Sequence, residues 1–453
     1  MNNDLIPYII RFLVGQDTSS DHLLNRIGYT SKPNEMAKYS IVIRPSGFFD
    51  ADVYGTDRAY PSLPLKEWEG TPLLFGEPTE ELLEESDTLV IHADIIASTY
   101  FLISRYEEMY KRKVRDIHGR FPGRESLSFR AGFLHRPIVD EYGAALRSKL
   151  RQMGWRVCEP EPHFSMVNLT HDIDEPFEYR GWRSFARALI KERKSPFKAF
   201  RLAFSNPVND RFYTFPRLLD WNRSLRTAIP DRCRIIFFFK TPGKASQDAP
   251  NYSLKRALYR PLLSLVRNNG VEVGLHSNYS ASLRPELIAE QRRLLMTDTG
   301  AEVDANRHHY LAAREPEDMQ FLLSAGIRHD YSMGYADVAG FRLGTSRPVR
   351  FIMPSTRRLT ELVLHPLLAM DCTLDRPEYM GLDEDSALQL CETLIRHAHR
   401  HGGEVSLLWH NEYLSRDVHP WHGRLYRNLL RLIQSMEEED RNVSSENEIV
   451  VNS

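Results

Sequence analysis

The stretch "VNLTHDIDEPFEY", residues 167–179, runs from an apolar, strand-like entry (Met166, Val167, Leu169) into Thr170, His171, Asp172 and Asp174, then breaks at Pro176. Ionisable groups at the end of a buried strand cost free energy unless they are paired, hydrogen-bonded or holding a metal. In parallel α/β architectures the working side chains gather at the carboxyl ends of strands. The stretch therefore calls for counterparts at other strand ends.

From residue 165 onward the sequence supplies them. Apolar runs ("CRIIFFFKT", "VEVGLHSN", "AEVDANRHHY", "GIRHDYS", "LTELVLHPLLAM", "EVSLLWHNEY") alternate with helical stretches such as "LKRALYRPLLSLVRNNG", "PELIAEQRRLLMTDTG" and "DEDSALQLCETLIRHAHRHGG". Such alternation implies parallel strands with helices outside them. About seven strand candidates over roughly 260 residues favour a barrel of the (β/α) type over an open sheet. His276 closes one strand, Arg307, His308, His309 and Tyr310 another, and His410 a third. Asp172 and Asp174, two apart, share a face on an extended chain; one can bind a metal while the other acts as a base. Zn²⁺ or a similar divalent ion accepts imidazole and carboxylate together and acidifies a bound water. His276 is the natural second ligand, and His410 is placed to protonate a leaving group.

The 453 residues are 42% hydrophobic and 26% charged with a formal net charge of −2, a globular composition without the basic excess that nucleic-acid binding requires. Cys158, Cys233, Cys372 and Cys391 form no CxxC pair and read as small core residues of a reducing compartment. No basic leader with a cleavage site and no apolar run of transmembrane length is visible, so the expected location is the cytoplasm.

The motifs resemble the polysaccharide deacetylase (NodB-like, carbohydrate esterase) superfamily over roughly residues 165–415. "THDID" matches its two-aspartate motif, which makes Asp172 the implied base and Asp174 the implied metal ligand. "HSNYS" keeps His276 and Ser277 of the His-Ser/Thr-x-x-His motif but has Ser280 at the second histidine. "RHHY" keeps Arg307 and Tyr310 of Arg-x-Pro-Tyr, and "LWH" makes His410 the implied general acid, with Arg307 paired to Asp172. Hydroxyl is a poor zinc ligand beside imidazole. Either His308, His309 or His171 replaces the missing histidine, or two ligands and waters hold the ion, or the ion is gone.

The resemblance implies a distorted (β/α)₇ barrel over 161–435, preceded by a smaller mixed α/β domain at 1–160. That leader looks like the uncharacterised one preceding such barrels in Bacteroidetes-type proteins. It implies a hydrolase that removes an N-acyl group, most simply N-acetyl, from an amino sugar, carried or not on a lipid. The alternative is a non-catalytic carbohydrate-binding or scaffold protein that has lost its metal. In the leader, "ADIIASTYFLISRYEEMYKRK" reads as one helix. A basic helical insertion at about 178–228 interleaves aromatics with Lys and Arg between 180 and 204, a composition suited to peripheral membrane contact. The acidic tail from 436 to 453 is expected to be disordered.

Overall fold

The computed structural model describes residues 4–15, 21–157 and 160–451. Strands β1 (Ile27–Tyr29), β2 (Ile41–Ile43), β5 (Gly76–Leu83) and β6 (Thr88–Ala93) form a four-stranded sheet in the order β1-β2-β6-β5, while β3 (Lys66–Trp68) and β4 (Thr71–Leu73) make a separate hairpin. Helices Leu5–Val14 and Ile138–Gln152 pack on each other beside this sheet. Helix Ile95–Ile103 is buried on every face, and its Ser98 hydroxyl turns back to donate to the Asp94 carbonyl (2.8 Å). The single helix expected across residues 93–113 divides here, because Arg105 adopts a left-handed backbone (φ 59°) before Tyr106–Tyr110.

The larger sheet holds β7 (Met166–Ile173), β8 (Cys233–Lys240), β9 (Glu272–Ser277), β10 (Ala305–His308), β11 (His329–Met333), β12 (Val349–Met353), β13 (Arg358–Pro366), β14 (Ala369–Met370) and β15 (Glu404–Leu408). Their order is β12-β13-β11-β10-β9-β8-β7-β15-β14, parallel except for β12 at the edge. Only Leu367 and Leu368 separate β13, which pairs β11, from β14, which pairs β15. The short link curls the sheet so that β13 lies near β15, and the Leu368 amide donates to the Ser406 carbonyl (3.1 Å). The result is a curled, barrel-like sheet with helices outside it. All its parallel strands aim their carboxyl ends at one rim.

The structure differs from the expected organisation at three points. Helix Phe215–Ala228, placed in the insertion, packs against β8 as a helix of the barrel, so the insertion proper ends before it. β12 was not foreseen. The tail begins inside the last helix, His422–Val451, where Met436 is buried and Glu437 pairs with Arg232 (2.5 Å). Cys233, Cys372 and Cys391 are buried thiols; Cys158 lies outside the described residues. No described helix is long and apolar enough to cross a membrane.

The N-terminal part is fastened to the barrel by buried charge. Glu108 receives Arg105 and also Arg342 (2.8 Å), while Asp140 accepts from Thr345 (2.6 Å), Ser346 (2.7 Å) and Arg347 (2.9 Å). Burial would raise the Glu108 carboxyl, but the two guanidinium groups outweigh it and hold it at about 2, below its ordinary 4.5. A carboxylate with a depressed folded value stabilises fully above 4.5 and loses that contribution as pH falls toward 2, here about 3 kcal/mol. Glu108→Gln leaves two buried guanidinium groups without their anion, so it is expected to cost roughly 3–5 kcal/mol at neutral pH. It should also flatten the stability profile between pH 4.5 and 2, read by urea melts across that range.

Candidate metal centre and its flanking groups

Strand alternation sorts the ionisable residues of the rim. In β7, Thr170 and Asp172 face the barrel interior, where Arg307 Nη1 donates to Thr170 Oγ1 (2.8 Å) and Asp172 Oδ1 (3.2 Å). His171, between them, faces the helices. Its Nδ1 meets the Trp409 carbonyl (2.7 Å) and its Nε2 meets Asn222 (2.7 Å) on helix Phe215–Ala228. Burial pushes His171 down to about 3, so it is a neutral packing residue turned away from the rim and not a substitute ligand. The register pairs Arg307 with His276 and His308 with Ser277. His308 consequently shares the outer face with Ser277 (3.0 Å), and it too is excluded as a ligand.

Ser280 is also displaced from the role its position suggested. Its hydroxyl donates to Asp248 Oδ2 (2.6 Å) and accepts from the amides of Lys244 and Ala245 (3.0 Å each), tying the loop after β8 to the helix after β9. Past the end of β10 the chain turns sharply, with Tyr310 and Leu311 at φ 62° and 52°. This turn swings His309 back over the rim. Its Nε2 lies 3.3 Å from Asp174 Oδ2, while His276 Nε2 lies 3.2 Å from Asp174 Oδ1. Asp174, His276 and His309 thus bring one ligand atom each within 4.8 Å of the others.

These three fit a divalent ion. Two imidazoles and a carboxylate are a donor set that a divalent ion such as zinc accepts. His276 Nδ1 is engaged with the Arg307 carbonyl (2.9 Å), which leaves the Nε2 lone pair toward the centre. His276 Nε2 and Asp174 Oδ1 are buried with no hydrogen bond. Burial would raise Asp174, but the charges of His309 and Lys240 and the two imidazoles beside it hold it well below the usual carboxylate range.

Two further pairs flank the centre. Asp172 sits 3.5 Å from His276 Nε2 on one side. On the other, Asp371 accepts from both the His410 amide (2.6 Å) and Nδ1 (2.8 Å), which fixes the tautomer and directs Nε2 inward, 3.8 Å from Asp174. Burial would lower His410; Asp371 outweighs it, with Glu412 and Asp174 adding, and His410 stays protonated well above its ordinary range. Burial drives the Glu412 carboxyl up to about 8. Together these groups line a cleft of about 180 Å³ that also includes Lys240, Tyr310, Arg376 and Arg120.

Sequence reasoning missed Asp371, Lys240, Glu412 and Arg120. Asp371 follows "LLAM" and Lys240 follows "FFF", so the strand-end rule that found Asp172 applies to both. Arg120 comes from the N-terminal part, where it pairs with Asp116 (2.7 Å) and donates to the Tyr310 carbonyl (2.8 Å); no local pattern announces it.

Residues 4–154 match a family described as a family of unknown function, DUF7033. A crystal structure of a "putative polysaccharide deacetylase" from Mycobacterium smegmatis shares 15% identity with this chain at a TM-score of 0.40, covering 62% of this chain and 87% of that one. No curated protein matches. An overlap of that size carries neither an activity nor a residue assignment across, and the chemistry must come from the site itself.

Proposed function

We propose that the protein is a metal-dependent hydrolase that removes an N-acyl group, most simply N-acetyl, from an amino sugar, on a distorted (β/α)₇ barrel. The observation that carries this reading is the Asp174–His276–His309 group, with its unpartnered ligand atoms, set between Asp172–Arg307 and His410–Asp371. A divalent ion such as zinc supplies Lewis-acid polarisation of an acyl carbonyl and acidifies water.

The chain's own groups do the proton work. Asp172, paired with Arg307 (3.2 Å), takes the proton of the attacking water. His410, held protonated by Asp371, gives one from Nε2 to the departing amine. A protonated imidazole on one side of a small cleft and a carboxylate on the other divide acid from base in the way amide hydrolysis requires. The cleft is smaller than the roughly 300–1,000 Å³ of drug-sized sites, which suits one acylated unit at a time. Arg120, from the N-terminal part, lines the cleft as well.

Metal analysis of the purified chain with assay of acetate release from N-acetylated amino-sugar oligomers tests the proposal. The expected result is one ion per chain at this centre and metal-dependent release. A chain that takes up no divalent ion even after soaking, yet binds the oligomers, is instead the carbohydrate-binding protein of the alternative reading.

A further inference from the structure

Immediately beyond Pro176 the chain leaves the rim as a helical hairpin: Gly181–Ala186, a wider turn of helix at Arg187–Lys191, then Pro196–Phe204 capped by Ser195. Tyr179, Ala188 and Ala199 form its own small core, and the Arg180 guanidinium closes it on the carbonyls of Leu202 (3.3 Å) and Pro207 (3.0 Å). Its outer surface is not that of a solvated hairpin. Trp182 is 70% exposed, Ile190 76%, Phe197 78% and Phe200 53%, and Phe204 and Val208 are exposed beside them. Those six are half of the twelve large apolar side chains exposed among the described residues. They are contiguous in part: the rings of Trp182 and Phe204 lie 4.7 Å apart, and those of Phe200 and Phe204 4.9 Å.

The same segment carries eight Lys and Arg between Arg180 and Arg201 against one acid, Glu192, in a chain whose net charge is −2. Arg183, Lys191, Arg193, Lys198 and Arg201 form no ion pair among the described residues, whereas Arg187 and Lys194 share Glu192. Exposed aromatics among unneutralised basic residues match the headgroup level of an anionic membrane, where rings enter the acyl boundary and each cation gains from the surface potential. A second copy of the chain would bring like charge against like. Aliphatic Ile190 and Val208 offer no platform for nucleic-acid bases.

The hairpin is also joined to the cleft. A groove of about 220 Å³ lined by Phe177, Glu178, Arg180, Arg187, Arg256 and Tyr259 shares Glu175 and Pro250 with it. We propose that the hairpin 180–208 seats the protein on an anionic lipid bilayer, and that the arginine-lined groove admits the anionic linker of a membrane-embedded substrate whose sugar reaches the cleft. The docking is independent of the hydrolytic reading; the substrate class rests on it.

Sedimentation of the full chain with mixed phosphatidylglycerol–phosphatidylcholine vesicles tests the docking. Salt-sensitive partition is expected, with a blue shift of tryptophan emission that Trp182→Phe removes. Phe197→Ser/Phe200→Ser and Lys198→Glu/Arg201→Glu should each weaken it roughly tenfold or more. Three results would overturn it: no partition at low salt, equal partition onto phosphatidylcholine alone, or wild-type binding by both double variants. A dimer in solution that Phe197→Ser/Phe200→Ser breaks would do so as well. For the substrate class, Phe197→Ser/Phe200→Ser should slow hydrolysis of an N-acetyl amino sugar presented on a phospholipid-linked carrier in the same vesicles, and spare a soluble oligosaccharide. Equal rates on both overturn that part. Absence of turnover on either substrate by wild type counts against the hydrolase and leaves the vesicle result standing.

Discussion

Replacing Asp172 with asparagine is expected to lower kcat/KM for N-acyl hydrolysis by roughly 10²–10⁴-fold, the usual worth of a positioned general base. The side chain is buried between Arg307 Nη1 (3.2 Å) and His276 Nε2 (3.5 Å). Asparagine keeps its shape and still offers Arg307 an acceptor, but it cannot take a proton. Removing one partner of a buried ion pair outright costs roughly 3–5 kcal/mol; asparagine should cost less, since the guanidinium keeps a polar contact. The informative comparison measures rate, thermal midpoint and metal content on one preparation. A folded, metal-replete variant with wild-type turnover would remove Asp172 from the mechanism.

His309→Ala should act on a different step, weakening divalent-ion binding by more than the roughly 10–100-fold that loss of an outer-shell partner produces. The expectation follows from the position of Nε2, 3.3 Å from Asp174 Oδ2 and aimed with it at the centre. Ser280→Ala is the contrasting substitution. It removes the acceptor of the Lys244 amide, while the Ala245 amide and Asp248 Oδ2 keep each other (3.1 Å), so it should cost roughly 1–3 kcal/mol of stability with metal affinity unchanged. Calorimetric titration of metal-free protein with zinc separates the two. Equal loss of affinity in both variants would mean that His309 acts only through local order.

Much of this site is readable from strand ends, because a parallel sheet gives each apolar run one direction and one rim. That logic reaches Asp172, His276, Arg307 and His410 and equally contains Asp371, which was overlooked for want of a motif around it. The choice among His171, His308 and His309 was not readable in the same way. Alternation assigns the first two to the outer face only once strand register is known, and His309 lies beyond the last paired residue, where a turn decides its direction. Arg105 shows the same limit: helical periodicity continues through "FLISRYEEMY", yet two buried contacts, to Glu108 and to the Ala313 carbonyl (2.8 Å), hold its backbone outside the helix. Long-range partners of this kind leave no local trace.

The turn at Tyr310 and Leu311 has a cost of its own. Two successive left-handed residues with full side chains are each worth roughly 1–3 kcal/mol of strain, sustained by a buried Leu311 and by Arg120 on the Tyr310 carbonyl. Glycine at either position would relax that strain and release His309 with it. Selection for heat tolerance alone would therefore find this turn among its easiest gains, and each gain would loosen the placement of His309; endurance and the order of the rim are opposed at these two residues.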